Sequence, residues 1–564
     1  MKTGFRLYLF GSLCVAWAVC RPVPVAAQTV NAWTITGSGL WHVAANWSVG
    51  QPPYETNGIV AISNFNSKVV TADATTPPTN LFLRNLFIRA FQNRTNTLVL
   101  TNLAARLEIY RGLTLDSGAL LLAYNSQVLV DGALGGELTL TAANAALVNS
   151  SLLLTNGSLL KVGNLTGTAG VSLTNSTLRV ADGDLRIGAI DHANGRLTLN
   201  GGLIEVGNEL TVGDVNSSTG LVTVVNGTFS AVNTNFNARL GERGRATFIL
   251  SNGVVNFDDV SVGRQATGVG LLIQAGGTMN IGTLSIGRFP SAVGTVFLGG
   301  GLLNVTNGSV YVGREGSGTL TNAGGTIIAS RLIVAGDTNT AQGTARFIGG
   351  ESRFSSGLHL GSDVSTGQVF VAGGTLLFTN ASSAVTSAVV NGTFTMTGGR
   401  VEFDLLQLTN STGTAQLNGG TLVARGLTVS NGAPFVVGDG TNPAVLDLQG
   451  GDFSFADGLI VSSKATLTGC GNLTGALTLL AGGTNRFQSL CPGMIAITNM
   501  ARVPRGVRFS FNSGAGTNYT VEFKTNFNQA NWQFLRTVTG HGALENVTNA
   551  PAPFGPRFYR VRTP

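Results

Sequence analysis

The chain has 564 residues, a formal net charge of +7, 78 glycines and only 11% charged residues. Its many apolar β-forming residues exclude an intrinsically disordered chain, and its low content of Glu and Lys is unlike that of a mainly helical fold. A chain of this length can hold several ordinary domains or one long repeat array, and the composition favours the array. No cluster of basic residues is dense enough to predict a nucleic-acid-binding surface.

Residues 1–27 predict a signal peptide. Lys2 and Arg6 give a positive start, residues 7–19 form an apolar run too short to span a membrane, and residues 25–27 are small enough for cleavage before Gln28. No later stretch reaches about 18 uninterrupted apolar residues, so we expect export without a transmembrane segment. Cleavage would remove three basic residues and no acidic one, leaving 31 basic and 27 acidic residues and a net charge of +4.

Residues 28–95 differ in composition from the chain that follows, and we interpret them as an N-terminal β cap with the first coils of an array. They contain three of the four tryptophans after the predicted signal peptide, Trp33, Trp41 and Trp47, and a loop-forming GQPP sequence. Exposed tryptophans stack on sugar rings, whereas buried ones fill small cores. We expect these three residues to pack within the cap.

Pairs of turn-forming residues recur every 24 to 26 residues through the middle of the chain. The pairs are Gly201-Gly202, Asn226-Gly227, Asn252-Gly253, Gly276-Gly277, Gly300-Gly301, Gly324-Gly325, Gly349-Gly350, Gly373-Gly374 and Gly398-Gly399. A second series with the same period ends each third apolar run, at Gly163, Gly188, Gly213, Gly241, Gly263, Gly287, Gly313, Gly336 and Gly361. Two independent markers with one period predict stacked repeat units.

Each repeat contains three short β-forming runs, which in residues 319–343 are TLTN, TIIA and RLIV. Three strands per 24–25 residues match one coil of a parallel β-helix. In the third run, aliphatic residues two positions apart predict an inward face: Leu185/Ile187, Leu210/Val212, Val260/Val262, Leu284/Ile286, Val310/Val312 and Leu358/Leu360. We therefore predict an all-β chain in which residues 96–503 form a right-handed, pectin-lyase-like parallel β-helix. At ~4.8 Å per coil, about 15 coils would make a rod of roughly 70 Å.

Residues 504–564 carry more charged and aromatic residues than the repeats, and they alternate like the strands of a small antiparallel β-sandwich.

Cys470 and Cys491 lie before this region and are 21 residues apart, which is nearly the length of one coil. Because stacked residues of neighbouring coils lie ~4.8 Å apart, within the Cα range of a disulfide, we predict a bridge between these cysteines. Such a bridge would stabilise the last coils by roughly 3 kcal/mol through the entropy of the unfolded chain.

The repeats resemble the autotransporter-associated β-strand repeats, as in GTLTNAGGTIIASRLIVAG and SVYVGREGSGTLTNAGG. The opening WTITGSGLWHVAANWSVGQPP, the late stretch LTGCGNLTGALTLLAGGTNRFQSLCPGMIAI and the ending RFYRVRTP are similar to segments of the same proteins. These are large secreted proteins of environmental bacteria, notably Verrucomicrobia and Planctomycetes. The resemblance implies a bacterial, adhesin-like β-solenoid that is secreted or held at the cell surface.

The sequence shows no recognisable catalytic, metal or cofactor-binding motif, and we expect no cofactor and no metal. Many parallel β-helices are polysaccharide lyases or hydrolases, whose carboxylates and bases converge on one face. The acids that such a site would draw on are Asp182, Asp184, Asp191 beside His192, Asp258 and Asp259. None of them lies in a glycosidase or lyase signature, and we interpret them as turn and loop residues.

The loop after the third strand carries an arginine in four coils. The sequences GERGR, GRQATGVG, GRFPSAVG and GREGSG predict that Arg243, Arg264, Arg288 and Arg314 stack along one edge. A column of guanidinium groups can bind the carboxylate or sulfate groups of an acidic glycan. The alternative is that these are solvated loop charges, partly neutralised by neighbouring glutamates such as Glu242.

The sequence thus predicts an exported structural or adhesive rod without catalytic activity, located at the cell surface or outside the cell. Polysaccharide or other cell-surface components are its expected partners, and nucleic acid is not. Two alternatives stay open: a polysaccharide lyase or glycoside hydrolase built on the β-helix, and a non-catalytic glycan-binding protein. A cleft lined by carboxylates and a base would favour the enzyme, whereas exposed rows of aromatic or arginine side chains would favour binding.

Overall fold

The structure is a computed structural model. It describes residues 29–562 except 55–57, 135, 165–166, 232, 234–236, 307, 337, 490–494, 496, 505, 515, 527–528, 530 and 550–556. The predicted signal peptide lies outside the described residues.

Stacked coils of parallel strands form a β-solenoid of about 17 turns with about 24 residues per turn, which confirms the predicted β-helix. At a spacing of ~4.8 Å the stack is roughly 80 Å long. The first strands are Val30–Ala32, Gly39–Leu40, Ile59–Ile62, Lys68–Ala72, Phe82–Ile88, Asn96–Thr101, Leu107–Leu115, Ala119–Tyr124, Gln127–Asp131, Glu137–Leu140, Asn144–Val148, Ser151–Thr155, Leu159–Val162, Gly167–Val180, Asp184–Ile187, Ala193–Val206, Glu209–Val212, Thr219–Ala231 and Asn237–Leu240.

The strands of the central coils are Arg245–Leu250, Val254–Asn256, Asp259–Val262, Val269–Gln274, Thr278–Ile281, Thr283–Ile286, Val293–Leu298, Leu302–Val305, Ser309–Val312, Ser317–Asn322, Thr326–Ala329, Arg331–Val334, Gln342–Phe347, Glu351–Phe354, Leu358–Leu360, Thr366–Val371, Thr375–Phe378 and Thr386–Val389. The last strands of the solenoid are Gly392–Met396, Arg400–Leu408, Gly413–Leu417, Gly420–Val429, Phe435–Val437, Ala444–Phe455, Leu459–Val461, Ala465–Thr474, Leu477–Leu479 and Thr484–Asn485.

Three strands per coil create three faces. In one central coil, Val269–Gln274 belongs to face 1, Thr278–Ile281 to face 2 and Thr283–Ile286 to face 3. Each strand pairs in parallel with the equivalent strand of the next coil, so that Leu271 lies beside Thr295, for example. Equivalent residues of successive coils therefore form columns along the solenoid.

The interior of the solenoid is a continuous aliphatic core. All twelve residues predicted to point inwards from face 3 are at most 2% exposed, which confirms the alternation read from the sequence. Two polar residues, Gln274 and Asn322, also occupy fully buried inward positions. The Asn322 side chain accepts the backbone N–H of Gly325 at 2.9 Å and donates to its carbonyl at 3.0 Å. The Asn322 amide therefore satisfies the backbone N–H and carbonyl of this turn, which are buried and need a hydrogen-bond partner.

The glycine pairs lie in a file at the turn between faces 1 and 2. Gly277 and Gly301 have φ values of 68° and 76°, which favour glycine. The backbone N–H of Leu302 donates to the Gly277 carbonyl at 2.9 Å, so the turns of neighbouring coils stack directly. A Cβ atom on Gly301 would collide with that carbonyl oxygen. Glycine is thus required by both the backbone conformation and the close approach of coils.

The second glycine series has one exception. The residue after Val334 is Ala335, which has a φ of 58° and whose N–H donates to the Val312 carbonyl at 2.9 Å. Gly313 makes the equivalent bond to the Ile286 carbonyl one coil earlier, at 2.8 Å. Ala335 therefore holds the place in this file that the sequence series assigned to Gly336.

The N-terminal tryptophans pack together at the start of the core. Trp33, Trp41 and Trp47 are at most 2% exposed, and the Trp47 ring meets the other two edge-on at 5.1 and 5.0 Å. The Trp41 and Trp47 indoles donate to backbone carbonyls at 2.9 and 2.7 Å. These rings are buried and fully partnered, as expected for packing within the cap, and they are not exposed for stacking on sugars.

Residues 497–562, which we call the C-terminal module, form two three-stranded antiparallel sheets. The strands are Ile497–Val503, Gly506–Asn512, Asn518–Lys524, Gln533–Thr539, Leu544–Asn549 and Phe558–Arg562. They enclose a separate core, made of Phe509, Phe511, Tyr519, Val521, Val538 and Val547. The first of these strands begins before residue 504, where the sequence analysis placed the start of this region.

Cys470 forms a disulfide bond, but its predicted partner Cys491 lies outside the described residues, so their pairing stays a prediction.

The helices of the described residues are turns of three or four residues, Ala44–Asn46, Pro78–Leu81 and Gly132–Leu134. They are far shorter than a membrane span requires.

Candidate functional site

The loop after the face 3 strand carries the candidate arginines. In Arg264, Arg288 and Arg314, the backbone N–H donates to a glycine carbonyl of the preceding coil, at 2.8, 2.9 and 3.1 Å. These three residues therefore stack in one column, as predicted from their spacing. In the coil before them the same position is held by Glu242, because Arg243 lies one residue further along the loop.

The stacked arginines lie back over the preceding coil. The Arg264 guanidinium donates to both oxygens of Glu242, at 2.6 and 2.9 Å. The Arg288 guanidinium donates to Asp259 at 2.6 Å and to the Ser261 hydroxyl at 2.9 Å. Their side chains are only 17% and 23% exposed, so these charges are largely used within the fold.

Arg314 has neutral partners. Its guanidinium donates to the Ser285 hydroxyl at 3.2 Å and lies 4.6 Å from the centre of the Tyr311 ring. Ser285 and Ser261 point outwards from face 3, yet both are at most 1% exposed. The arginines that lie over them act as a cover for this part of the sheet.

The coils before the column contain a further group of ion pairs on face 3. Arg186 donates to Asp184 at 2.9 Å and to Asp214 at 3.3 Å. Burial raises the pKa of Asp214, although Arg186 favours its ionised form. Asp214 occupies the column position that Glu242 holds in the next coil.

Arg239 links two coils of this group. It lies 2.7 Å from Glu209 and 3.8 Å from Glu242, the glutamate that also binds Arg264. Burial raises the pKa of Glu209, despite a hydrogen bond from Thr211 and the charge of Arg239. Arg239 and Glu209 are not among the residues predicted from the sequence, but both are at outward positions of face 3 strands, and the period of two places them there.

Arg243 has a different environment from the stacked arginines. It is exposed and lines a cleft of about 360 Å³ together with Arg245, Asn216 and Thr267. The Thr267 hydroxyl bonds Asn216 at 2.7 Å and the Arg243 carbonyl at 2.8 Å, which fixes the cleft wall. Over the part of the chain that the structure describes, neither arginine of this cleft has a carboxylate within 4.0 Å.

The structure does not bring the candidate catalytic acids together. Asp184 and Asp259 lie in one column, but the two coils between them contribute Glu209 and Asn237 at that position. Both aspartates are ion-paired with arginines. The side chains of Asp191 and its neighbour in an exposed loop, His192, are 63% and 68% exposed. Within the described ranges, no group of three or more His, Cys, Asp or Glu is arranged to hold a metal ion.

Comparisons with protein-family models, with curated proteins and with solved structures found no match to this chain.

Proposed function

We propose that this chain is an exported structural rod that spaces or contacts surfaces and has no catalytic activity of its own. The observation that carries the proposal is the use of charged side chains on face 3. Acids and arginines there pair between coils, and this use of the charges within the stack favours a structural role over general acid–base catalysis.

A second charged cluster follows the same pattern further along the solenoid. Asp404 is 2% exposed, pairs with Arg425 and accepts the backbone N–H of Asn380 at 3.0 Å. Arg425 also binds Glu402 at 2.9 Å. Because a buried carboxylate without partners is strongly disfavoured, this arrangement has a structural purpose that requires no substrate.

The resemblance to the autotransporter-associated repeats supports export and a location at the surface. Membership of that group stays a proposal. Surface exposure is tested by treating intact producing cells with a protease and comparing loss of the chain with loss of a cytoplasmic marker. Selective loss of the chain is expected, and protection equal to that of the marker would contradict surface exposure.

Catalytic activity is tested on the purified full chain with a panel of neutral and acidic polysaccharides. We expect no new reducing ends from hydrolysis and no unsaturated ends from lyase cleavage. Time-dependent product formation would overturn the passive rod and would favour the enzyme. Substitution of Asp184 or Asp259 by Asn would then identify which coil is responsible.

A second candidate function, glycan binding on the solenoid, is favoured by the cleft beside Arg243. Its two arginines have the charge for carboxylate or sulfate groups, and neither has a carboxylate within 4.0 Å among the described residues. Arg243→Ser should weaken retention on acidic polysaccharide if this cleft binds. Arg196→Ser removes an exposed arginine from face 1 and is the matched control. Equal retention of the two variants would exclude the cleft.

A further inference from the structure

The positive charge of the chain is concentrated in the C-terminal module. Residues 497–562 contain eight Lys or Arg and two Asp or Glu, which gives a net charge of +6. Residues 28–496 contain 23 basic and 25 acidic residues, which gives a net charge of −2. By net charge, anionic polymers are therefore attracted more strongly to the module than to the much longer solenoid.

Part of this excess charge lies on the sheet formed by strands Asn518–Lys524, Gln533–Thr539 and Phe558–Arg562. The inner side of this sheet contributes Tyr519, Val521 and Val561 to the module's core. Its outer side, which we call the basic face, carries Glu522, Lys524, Trp532, Phe534, Arg560 and Arg562. The antiparallel register places Glu522 between Arg560 on one neighbouring strand and Phe534 on the other.

The single carboxylate of the basic face is shared between two arginines. Glu522 is 7% exposed and lies 2.6 Å from Arg560 Nε and 3.4 Å from Arg562 Nε. The arginine side chains remain 43% and 59% exposed. Lys524 has no carboxylate within 4.0 Å among the described residues. The basic face therefore has three cationic side chains for one carboxylate, a net excess of two positive charges.

An aromatic ring holds two of the cations in place. Trp532 is half-buried, and its ring lies 5.0 Å from Lys524 Nζ and 4.5 Å from Arg560 Cζ. Cation–π contacts of this kind restrict long side chains that otherwise move freely. An anion that binds here therefore meets cations that have already lost part of their side-chain entropy.

We infer that the basic face binds an acidic polysaccharide through its carboxylate or sulfate groups and so attaches one end of the chain to a surface. Arginine forks suit both groups, because each offers two oxygens in a plane to parallel N–H donors. A lipid surface fits less well, since among the described aromatic side chains of this face only Phe534 is exposed, at 64%, whereas Trp532 and Phe558 are half-buried. The choice of polysaccharide over nucleic acid rests on the proposed export.

The test measures retention of the purified full chain on a carboxylated polygalacturonate matrix, a dextran sulfate matrix and single-stranded DNA. The double variant Lys524→Ser/Arg562→Ser removes two charges from the basic face and leaves the closer Glu522–Arg560 pair. The double variant Arg502→Ser/Arg508→Ser removes two exposed arginines from the other sheet of the module. Glu522→Gln keeps an acceptor for Arg560 and removes the negative charge.

We expect the basic-face variant to bind at least one of the two polysaccharide matrices about fivefold more weakly than the wild type, because each exposed ionic contact contributes modestly. We expect the variant of the other sheet to bind nearly as well as the wild type, and Glu522→Gln to bind more tightly. The carboxylated and sulfated matrices show which anionic group is preferred.

Equal losses of retention in the two double variants would show that binding depends on net charge alone. That result would overturn the basic face as a binding site. Preference for DNA over both polysaccharides, with the same sensitivity to the basic-face variant, would overturn the assigned partner. Reducing ends are counted in the same fractions. Catalytic cleavage of the polysaccharide, which would contradict the proposed function, is therefore detected independently of retention. The melting temperature of each variant shows that a loss of binding is not a loss of folding.

Discussion

The solenoid and the C-terminal module place charged side chains on exposed sheets in opposite ways. On face 3 of the solenoid, arginines and acids pair from one coil to the next, as Arg264 does with Glu242. On the basic face, one glutamate faces two arginines and a lysine. A stack of coils offers each charge an equivalent position ~4.8 Å away, where a partner of opposite sign can be placed. A three-stranded sheet has few such positions, so its excess charge stays available for a ligand.

The largest expected effect comes from the close approach of coils, which the module lacks. Gly301 in the solenoid and Gly516 in the module have the same φ of 76°. An added Cβ would collide with the Gly277 carbonyl oxygen at Gly301, whereas nothing lies within 4 Å of one at Gly516. Gly301→Ala should destabilise by about 3 kcal/mol or more, since steric overlap adds to backbone strain. Gly516→Ala should cost about 1 kcal/mol from strain alone.

The measurement is the unfolding midpoint of each variant in denaturant. Equal shifts for Gly301→Ala and Gly516→Ala would contradict direct stacking of turns at the glycine file.

The second effect compares one arginine from each region. Arg264→Ser leaves Glu242, whose side chain is 8% exposed, with Arg239 at 3.8 Å as its ion-pair partner among the described residues. An inadequately paired buried carboxylate should cost about 1–3 kcal/mol. Arg562→Ser removes a side chain that is 59% exposed and should cost less than about 1 kcal/mol. Hydrogen exchange of peptides from each region would report both losses of stability. A larger loss in the module than in the solenoid would contradict the expected order.

The smallest effect is a difference in pH dependence. Burial raises the pKa of Asp214 in the solenoid, so its contribution to stability is present in acid and is lost as the pH rises through the folded pKa. The pKa of Glu545 in the module is lowered, first by the backbone N–H of His541 and also by its ring and by Ser513. Its contribution is present above the ordinary carboxyl range and is lost as the pH falls.

From about pH 3 to about pH 7, Asp214→Asn should therefore gain stability relative to the wild type, while Glu545→Gln should lose it. Denaturant unfolding of both variants along this pH series measures the two slopes. Slopes of the same sign would show that burial does not dominate at Asp214.

The fold was predictable because its signals repeat. The inward position of Leu284 and Ile286 follows from a period of two, and the turn at Gly301 follows from a period of 24–25 residues, each seen many times along the chain. Single departures were not predictable. Nothing in the repeat shows that Asn322 turns inwards to bind the turn at Gly325, or that Ala335 takes a glycine position.

The candidate site was predictable only in part. The spacing of Arg264, Arg288 and Arg314 places them correctly in one column. Loop lengths vary, however, so aligning the loops by their arginines also placed Arg243 in this column, where the structure has Glu242. Period two indicates which charges point outwards but not which of them pair, because pairing depends on how far a long side chain leans towards the neighbouring coil. The orientation of Arg288 over Ser261 is such a case.

The most direct test of the account is a disulfide engineered across two coils of face 1. Thr295 and Thr319 are paired in register in neighbouring strands, whereas Thr321 lies two residues further along the second strand. Stacked Cα atoms should be ~4.8 Å apart and the diagonal pair about 8 Å apart, beyond the reach of a disulfide. Mild oxidation and non-reducing mass analysis should therefore show a bridge in Thr295→Cys/Thr319→Cys and free thiols in Thr295→Cys/Thr321→Cys. A bridge in the second variant alone would contradict the coil-on-coil register on which the rod depends.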